Sequence, residues 1–169
     1  MLSAILMILA GFVVIGLIIV ANAYFVAQEF SFMSVDRTQL RTQAAEGDKT
    51  AQRALAITQQ TSFMLSGAQL GITITGLLIG YVAEPLVGQG LGTLLGGVGV
   101  PSAVSVTVGT IAALFISTIA TMLFAELFPK NYTIAAPMKT ARWLAASTQL
   151  YLRLFGWLIP VSYTHLTLP

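Results

Sequence analysis

Residues 102–130 read SAVSVTVGTIAALFISTIATMLFAELFPK, and the first 24 of them carry no charge. About 20 apolar helical residues cross the hydrocarbon core of a bilayer, so a spanning helix is expected at 102–128. Its end differs from its body, because Ala125-Glu126-Leu127-Phe128-Pro129-Lys130 brings a carboxylate, a proline and an ammonium together within two helical turns. An apolar membrane segment ending in chemistry-bearing residues is the pattern on which the rest of the chain is read.

Working outward, residues 61–83 and 2–28 are also free of charge. They predict two more spans, at 62–83 and 4–33, with Asn22, Gln28 and Glu29 as late polar interruptions of the first. Glu84-Pro85 reads as the end of the second helix, since the residue before a proline is biased away from helix. Gly88, Gly90, Gly92, Gly96, Gly97, Gly99 and Pro101 predict a loop or short hairpin before the third span. Of the 169 residues, 56% are hydrophobic and 8% charged, against roughly 45–50% and about 25% in soluble domains. A soluble globule is excluded. A second reading of the N-terminus, a signal peptide cut near Ala21-Asn22-Ala23, ranks lower because Met1-Leu2-Ser3-Ala4 supplies no positive n-region and the apolar run continues past the cut.

The charges are clustered. Residues 36–60 hold 7 of the 14, and Leu40, Ala44, Ala51 and Leu55, with Gly47 between the pairs, predict a hairpin of two short amphipathic helices. That hairpin is either a docking surface or a solvated connector. Arg37, Arg41, Lys49 and Arg53 lie between the first two spans, and Lys130, Lys139, Arg142 and Arg153 follow the third. The positive-inside rule therefore puts the hairpin and the C-terminus in the cytoplasm and the N-terminus outside. Residues 138–159 predict an amphipathic juxtamembrane helix with Trp143 and Trp157 at headgroup level. The domain expected over 1–160 is thus all-α and integral to the membrane, with three transmembrane helices, a cytoplasmic helical hairpin and a juxtamembrane amphipathic helix.

Enzyme chemistry finds no footing. His165 is the single histidine, there is no cysteine, and no phosphate-cradling motif precedes a Lys-Ser/Thr pair. A net charge of +2 without a cationic face excludes nucleic acid as a partner; the bilayer itself is the expected one. What calls for explanation is a carboxylate in a span, which costs something like 2.5–3.5 kcal/mol on insertion scales. Pro129 has no N–H, so the carbonyl of Ala125 loses its helical donor beside Glu126. Oxygen donors of that kind suit a hard cation; an i,i+4 pair with Lys130 at the boundary is the equal alternative. On the second span Ser62, Ser66, Gln69, Thr73, Gly76 and Gly80 share one face, expected to point into the bundle, with Ser66, Gln69 and Thr73 as candidate ligands. On the first, Asn22 and Glu29 share a face, and Glu29 either joins a cation site or pairs with a hairpin arginine.

Three motifs resemble a known family: Asn22-Ala23-Tyr24-Phe25-Val26-Ala27-Gln28-Glu29-Phe30, Leu65-Ser66-Gly67-Ala68-Gln69-Leu70-Gly71-Ile72-Thr73 and Glu126-Leu127-Phe128-Pro129-Lys130. In this order and spacing they look like the transmembrane domain of the CNNM/CorC family. The resemblance implies a homodimer in the plasma membrane that exports Mg²⁺, in apparent exchange for Na⁺, and continues into a cytoplasmic CBS-pair domain that binds ATP. Glu126 matches the acidic residue of the family's Gly-Glu-x-x-Pro-Lys motif and Ser66 its second-helix serine. Val26 stands where transporting members commonly carry Ser, Ile72 and Thr73 where they carry Asn, and Ala125 replaces Gly. Residues 161–169 depart from the pattern, resemble translated adapter sequence and are expected to be non-native. The expected function is divalent-cation efflux, with Mg²⁺ as the ion; the alternative is a non-transporting anchor or sensor for the CBS-type module.

Overall fold

The computed structural model describes residues 2–156. Eight α-helices follow one another: α1 (Leu2–Ser34), α2 (Arg37–Ala45), α3 (Lys49–Gln59), α4 (Thr61–Leu78), α5 (Glu84–Gly97), α6 (Ser102–Ala120), α7 (Phe128–Ala135) and α8 (Pro137–Phe155). Two π-helical turns, Ile79–Ala83 and Thr121–Leu127, join α4 to α5 and α6 to α7. No strand occurs among the described residues. Three continuous helical runs, Leu2–Ser34, Thr61–Gly97 and Ser102–Ala135, are long and apolar enough to cross a membrane. The all-α class with three spans, a helical hairpin and a helix near 138–159 is what the hydrophobic pattern predicted; positions 157–159 and the tail 161–169 lie outside the described residues.

Two compact units divide the chain, residues 2–23 with 73–127 and residues 24–72 with 128–156. The first contains the glycine-rich segment, and here the expectation of a loop is overturned. Residues 84–97 are helical because their glycines make room for neighbouring backbones. A Cβ on Gly109 of α6 would lie 2.6 Å from the Gly88 carbonyl oxygen and 2.7 Å from the Gly92 nitrogen. On the other side of α5, a Cβ on Gly90 would meet Ile8 at 2.5 Å, while Val87 fills the notch left by Gly11. Small residues at helix crossings are the usual currency of packing in lipid, where no hydrophobic force separates helix from solvent. Only 98–101 form the connection, with Gly99 at φ +90°.

Both prolines expected to end helices are also passed. A proline in an α-helix removes one hydrogen bond and crowds the carbonyl four residues earlier. Each of the two, Pro85 and Pro129, follows a π-helical turn whose wider i→i+5 spacing shifts the register just ahead of the ring. The second helical run therefore extends beyond Ala83 to Gly97, and the third beyond Phe128 to Ala135.

The second unit holds the hairpin. Asp36 and Asp48 cap α2 and α3, their Oδ1 atoms accepting amides of Thr38 and Gln39, and of Thr50 and Ala51. Gly47, at φ +94°, turns the chain between them where a side chain would be strained. Leu40, Ala51, Ala54, Ile57, Phe32 and Met64 form a core with Ala141, Leu144, Ala145 and Leu152 of α8. The Arg142 guanidinium donates to the Gln43 side chain and the Asp48 carboxylate, and the Tyr151 hydroxyl donates to the Gly67 carbonyl at 2.9 Å. Away from that core α8 leaves Trp143, Leu150 and Leu154 exposed, an apolar stripe flanked by the polar Lys139, Arg142, Gln149 and Arg153; an apolar stripe beside a charged one is the pattern of an interfacial helix.

Candidate functional site

Glu126 lies in the π-helical turn Thr121–Leu127, the one carboxylate of that run of the chain. Its side chain is exposed in the single chain, whereas Ala125 beside it and Pro129 are buried. π-turns place extra backbone on one face of a helix and recur at functional sites. Of the other six expected ligands, Asn22, Thr73 and Ala125 belong to the same unit as Glu126; Glu29, Ser66 and Gln69 belong to the second.

Asn22 is buried, and its Oδ1 has no hydrogen-bond partner among the described residues; nor has the buried Oγ1 of Thr121, the residue that opens the turn carrying Glu126. Bare oxygens are costly in a membrane interior, and they are the atoms a hard cation would use. No group of three or more His, Cys, Asp or Glu side chains gathers among the described residues. A site here would draw on amide, hydroxyl and carbonyl oxygens around a small number of carboxylates.

In the second unit the structure brings Glu29 and Gln69 together, the amide of Gln69 donating to the partly buried carboxylate. Lys130 acts on the same carboxylate, and its Nζ sits 4.9 Å from the centre of the Phe30 ring. The cationic neighbour of Glu29 is therefore Lys130, not an arginine of the hairpin. Gln28 is fully buried with neither amide atom partnered among the described residues; a polar residue inside an apolar run was the signal for it.

One expectation about the second span is corrected. Met64, Gly67, Ala68, Gly71, Thr75 and Ile79 are the buried face, while Ser62, Gln69, Thr73, Gly76 and Gly80 are exposed and Ser66 is half-buried. Packing went to the face with the better shape: Gly71 has no side chain because the Phe25 ring occupies its place, 2.5 Å from where a Cβ would stand. Glu84 does not end the second helical run, which continues through it to Gly97. It is partly buried and accepts a 2.6 Å hydrogen bond from Ser117, which is 1% exposed. The signal was its position between two charge-free tracts.

The amino-acid sequence is similar to those of known proteins. The family model described as the cyclin M transmembrane N-terminal domain matches residues 12–167. Protein Rv1841c of Mycobacterium tuberculosis is 38% identical over 140 residues, 82% of this chain and 39% of that protein. The UPF0053 protein MT1890 of Mycobacterium tuberculosis is 42% identical over 130 residues, covering 75% and 28%. UPF0053 protein YhdT of Bacillus subtilis is 33% identical over 144 residues, covering 85% and 31%. The chain thus spans well under half the length of these relatives.

Proposed function

Because the chain belongs to the cyclin M transmembrane family, we propose that it moves divalent cations across the plasma membrane, and that Mg²⁺ is exported in exchange for Na⁺. The observation that carries this reading is the Glu126 carboxylate, the one acidic side chain of the third helical run, set on a π-helical turn after 24 uncharged residues. Glu126 supplies the charge that holds the ion. Neighbouring oxygens replace part of its hydration shell, and Mg²⁺ gives up water reluctantly, so a single carboxylate suits passage better than capture. Asn22 Oδ1 and Thr121 Oγ1, buried and unpartnered among the described residues, are oxygens of the required kind in the same unit.

The reading includes a homodimer. Gly76 and Gly80 are four apart and exposed, with nothing within 4 Å of a Cβ on either; together with Thr73 and Gln69 they form a small and polar stripe of the kind that joins membrane helices. A CBS-pair module following the chain in the full-length protein is part of the same proposal. The deciding experiment is Mg²⁺ efflux from loaded proteoliposomes. Glu126→Gln is expected to abolish flux with helicity unchanged; flux equal to that of the unaltered chain would leave only the role of a membrane anchor.

A further inference from the structure

A cleft of about 440 Å³ opens on the hairpin, lined by Arg37 and Arg41 of α2, Thr58 and Gln60 at the end of α3, and Thr61 and Ser62 at the start of α4. Arg37 and Arg41 are one helical turn apart and share a face. The Arg37 Nη2 donates to Thr61 Oγ1 at 3.0 Å, and that hydroxyl donates to the Thr58 carbonyl at 2.7 Å. The guanidinium is thereby oriented by a neutral group and keeps its charge uncompensated. No residue lining the cleft is acidic, and the salt bridge among the described residues engages a different arginine, Arg142.

Two guanidiniums with several hydroxyl and amide groups make a site for an oxyanion, whereas the end of α3 and the start of α4 meet at the cleft with opposite dipole signs and largely offset one another. Arginine forks pair with phosphate oxygens two at a time. The depth of the cleft narrows the source of that phosphate. Thr61 begins the apolar run that continues to Gly97, so the cleft sits where a span leaves the hydrocarbon and meets the headgroups. A smaller pocket shares Gln60 and Phe63 with it and adds Arg153, which extends the basic character along the same side. Juxtamembrane arginines are drawn to anionic leaflets in just this setting.

We propose that the cleft binds the phosphate group of an anionic phospholipid headgroup, seated between Arg37, Arg41 and the first turn of α4. This does not depend on the transport reading. The test uses the chain in neutral detergent, with thermal unfolding and native mass spectrometry in the presence of dioleoylphosphatidylglycerol, dioleoylphosphatidylcholine or inorganic phosphate. Phosphatidylglycerol is expected to bind at least tenfold more tightly than phosphatidylcholine and to raise the melting temperature. Arg41→Gln is expected to lose at least tenfold of that affinity, whereas Arg53→Gln, an exposed arginine outside the cleft, keeps it. Arg37→Gln should behave like Arg41→Gln; because Arg37 also holds Thr61, Arg41→Gln decides the matter if the Arg37 variant does not fold. Inorganic phosphate stabilising the chain as well as the lipid does would overturn the lipid as ligand, and equal losses in the Arg41 and Arg53 variants would overturn the site.

Discussion

Arg142 and Asp48 join two helices through one carboxylate: Oδ1 of Asp48 caps α3, accepting the amides of Thr50 and Ala51, while Oδ2 receives the Arg142 guanidinium of α8. The Ala51 amide has the largest effect on this carboxyl; the upward push of desolvation comes next and is outweighed once the Thr50 amide and Arg142 are added, so the group is held below its ordinary value of 3.8. A carboxyl with a depressed folded-state pKa stabilises above its unfolded value, and that contribution disappears as pH falls through the folded one. The packing of α8 on the hairpin is therefore expected to be constant near neutrality and to weaken as pH drops below 3.8. Melting curves between pH 7 and pH 3, compared with those of Asp48→Asn, check this; an unchanged pH profile in the variant would contradict it.

The glycines of α5 and α6 predict a sharp contrast in tolerance. Gly109→Ala puts a methyl 2.6 Å from a backbone oxygen, and forced overpacking costs typically about 1–3 kcal/mol. Gly97→Ala meets nothing within 4 Å and is expected to change stability by about 0.5 kcal/mol or less. Thermal unfolding in one detergent compares the two directly.

Ser117→Ala removes the donor to Glu84 and leaves a partly buried carboxylate one bond short. Hydrogen bonds to charged groups contribute about 1.5–3 kcal/mol, so a loss of that order is expected. A double-mutant cycle with Glu84→Gln isolates the pair. Additive effects would show that the contact contributes nothing beyond packing.

Pro129→Ala restores an N–H and lets the turn ahead of it return to α spacing. Removing the one-residue offset of a π-turn rotates the side chains on one side of it by about 100° relative to those on the other. The expected result is higher thermal stability and Mg²⁺ flux reduced at least tenfold, because Glu126 no longer faces the same way. Stability raised with flux unchanged would separate the turn from transport.

Gly76→Ile fills the exposed small-residue stripe of α4 without touching the buried face. Crosslinking or sedimentation in detergent should show the dimer fraction falling several-fold while the monomer keeps its helicity. A dimer fraction equal to that of the unaltered chain would remove this stripe from the interface.

Much of this molecule is written in hydrophobic period and charge placement. The three spans follow from charge-free length, and the hairpin follows from Leu40, Ala44, Ala51 and Leu55 flanking Gly47. The aspartates at 36 and 48 stand where helix caps belong. What period cannot convey is which of two plausible faces packs. Ser62, Ser66, Gln69 and Thr73 looked inward because they are polar in an apolar setting, yet Met64, Ala68 and Gly71 fit their neighbours better. The glycines of 88–97 carry the same ambiguity, since a residue that loosens an isolated helix also lets two helices touch. Glu126 stands out in any reading, but the turn beneath it depends on how the chain resolves the steric demand of Pro129 three residues on.

Where two main chains meet with no side chain between them, sliding one along the other is harder than bending either. The crossing of α5 and α6 through Gly88, Gly92 and Gly109 therefore fixes the register of the two backbones. The wider spacing at Ile79–Ala83 and Thr121–Leu127 instead makes those turns the places where the long helical runs bend most readily.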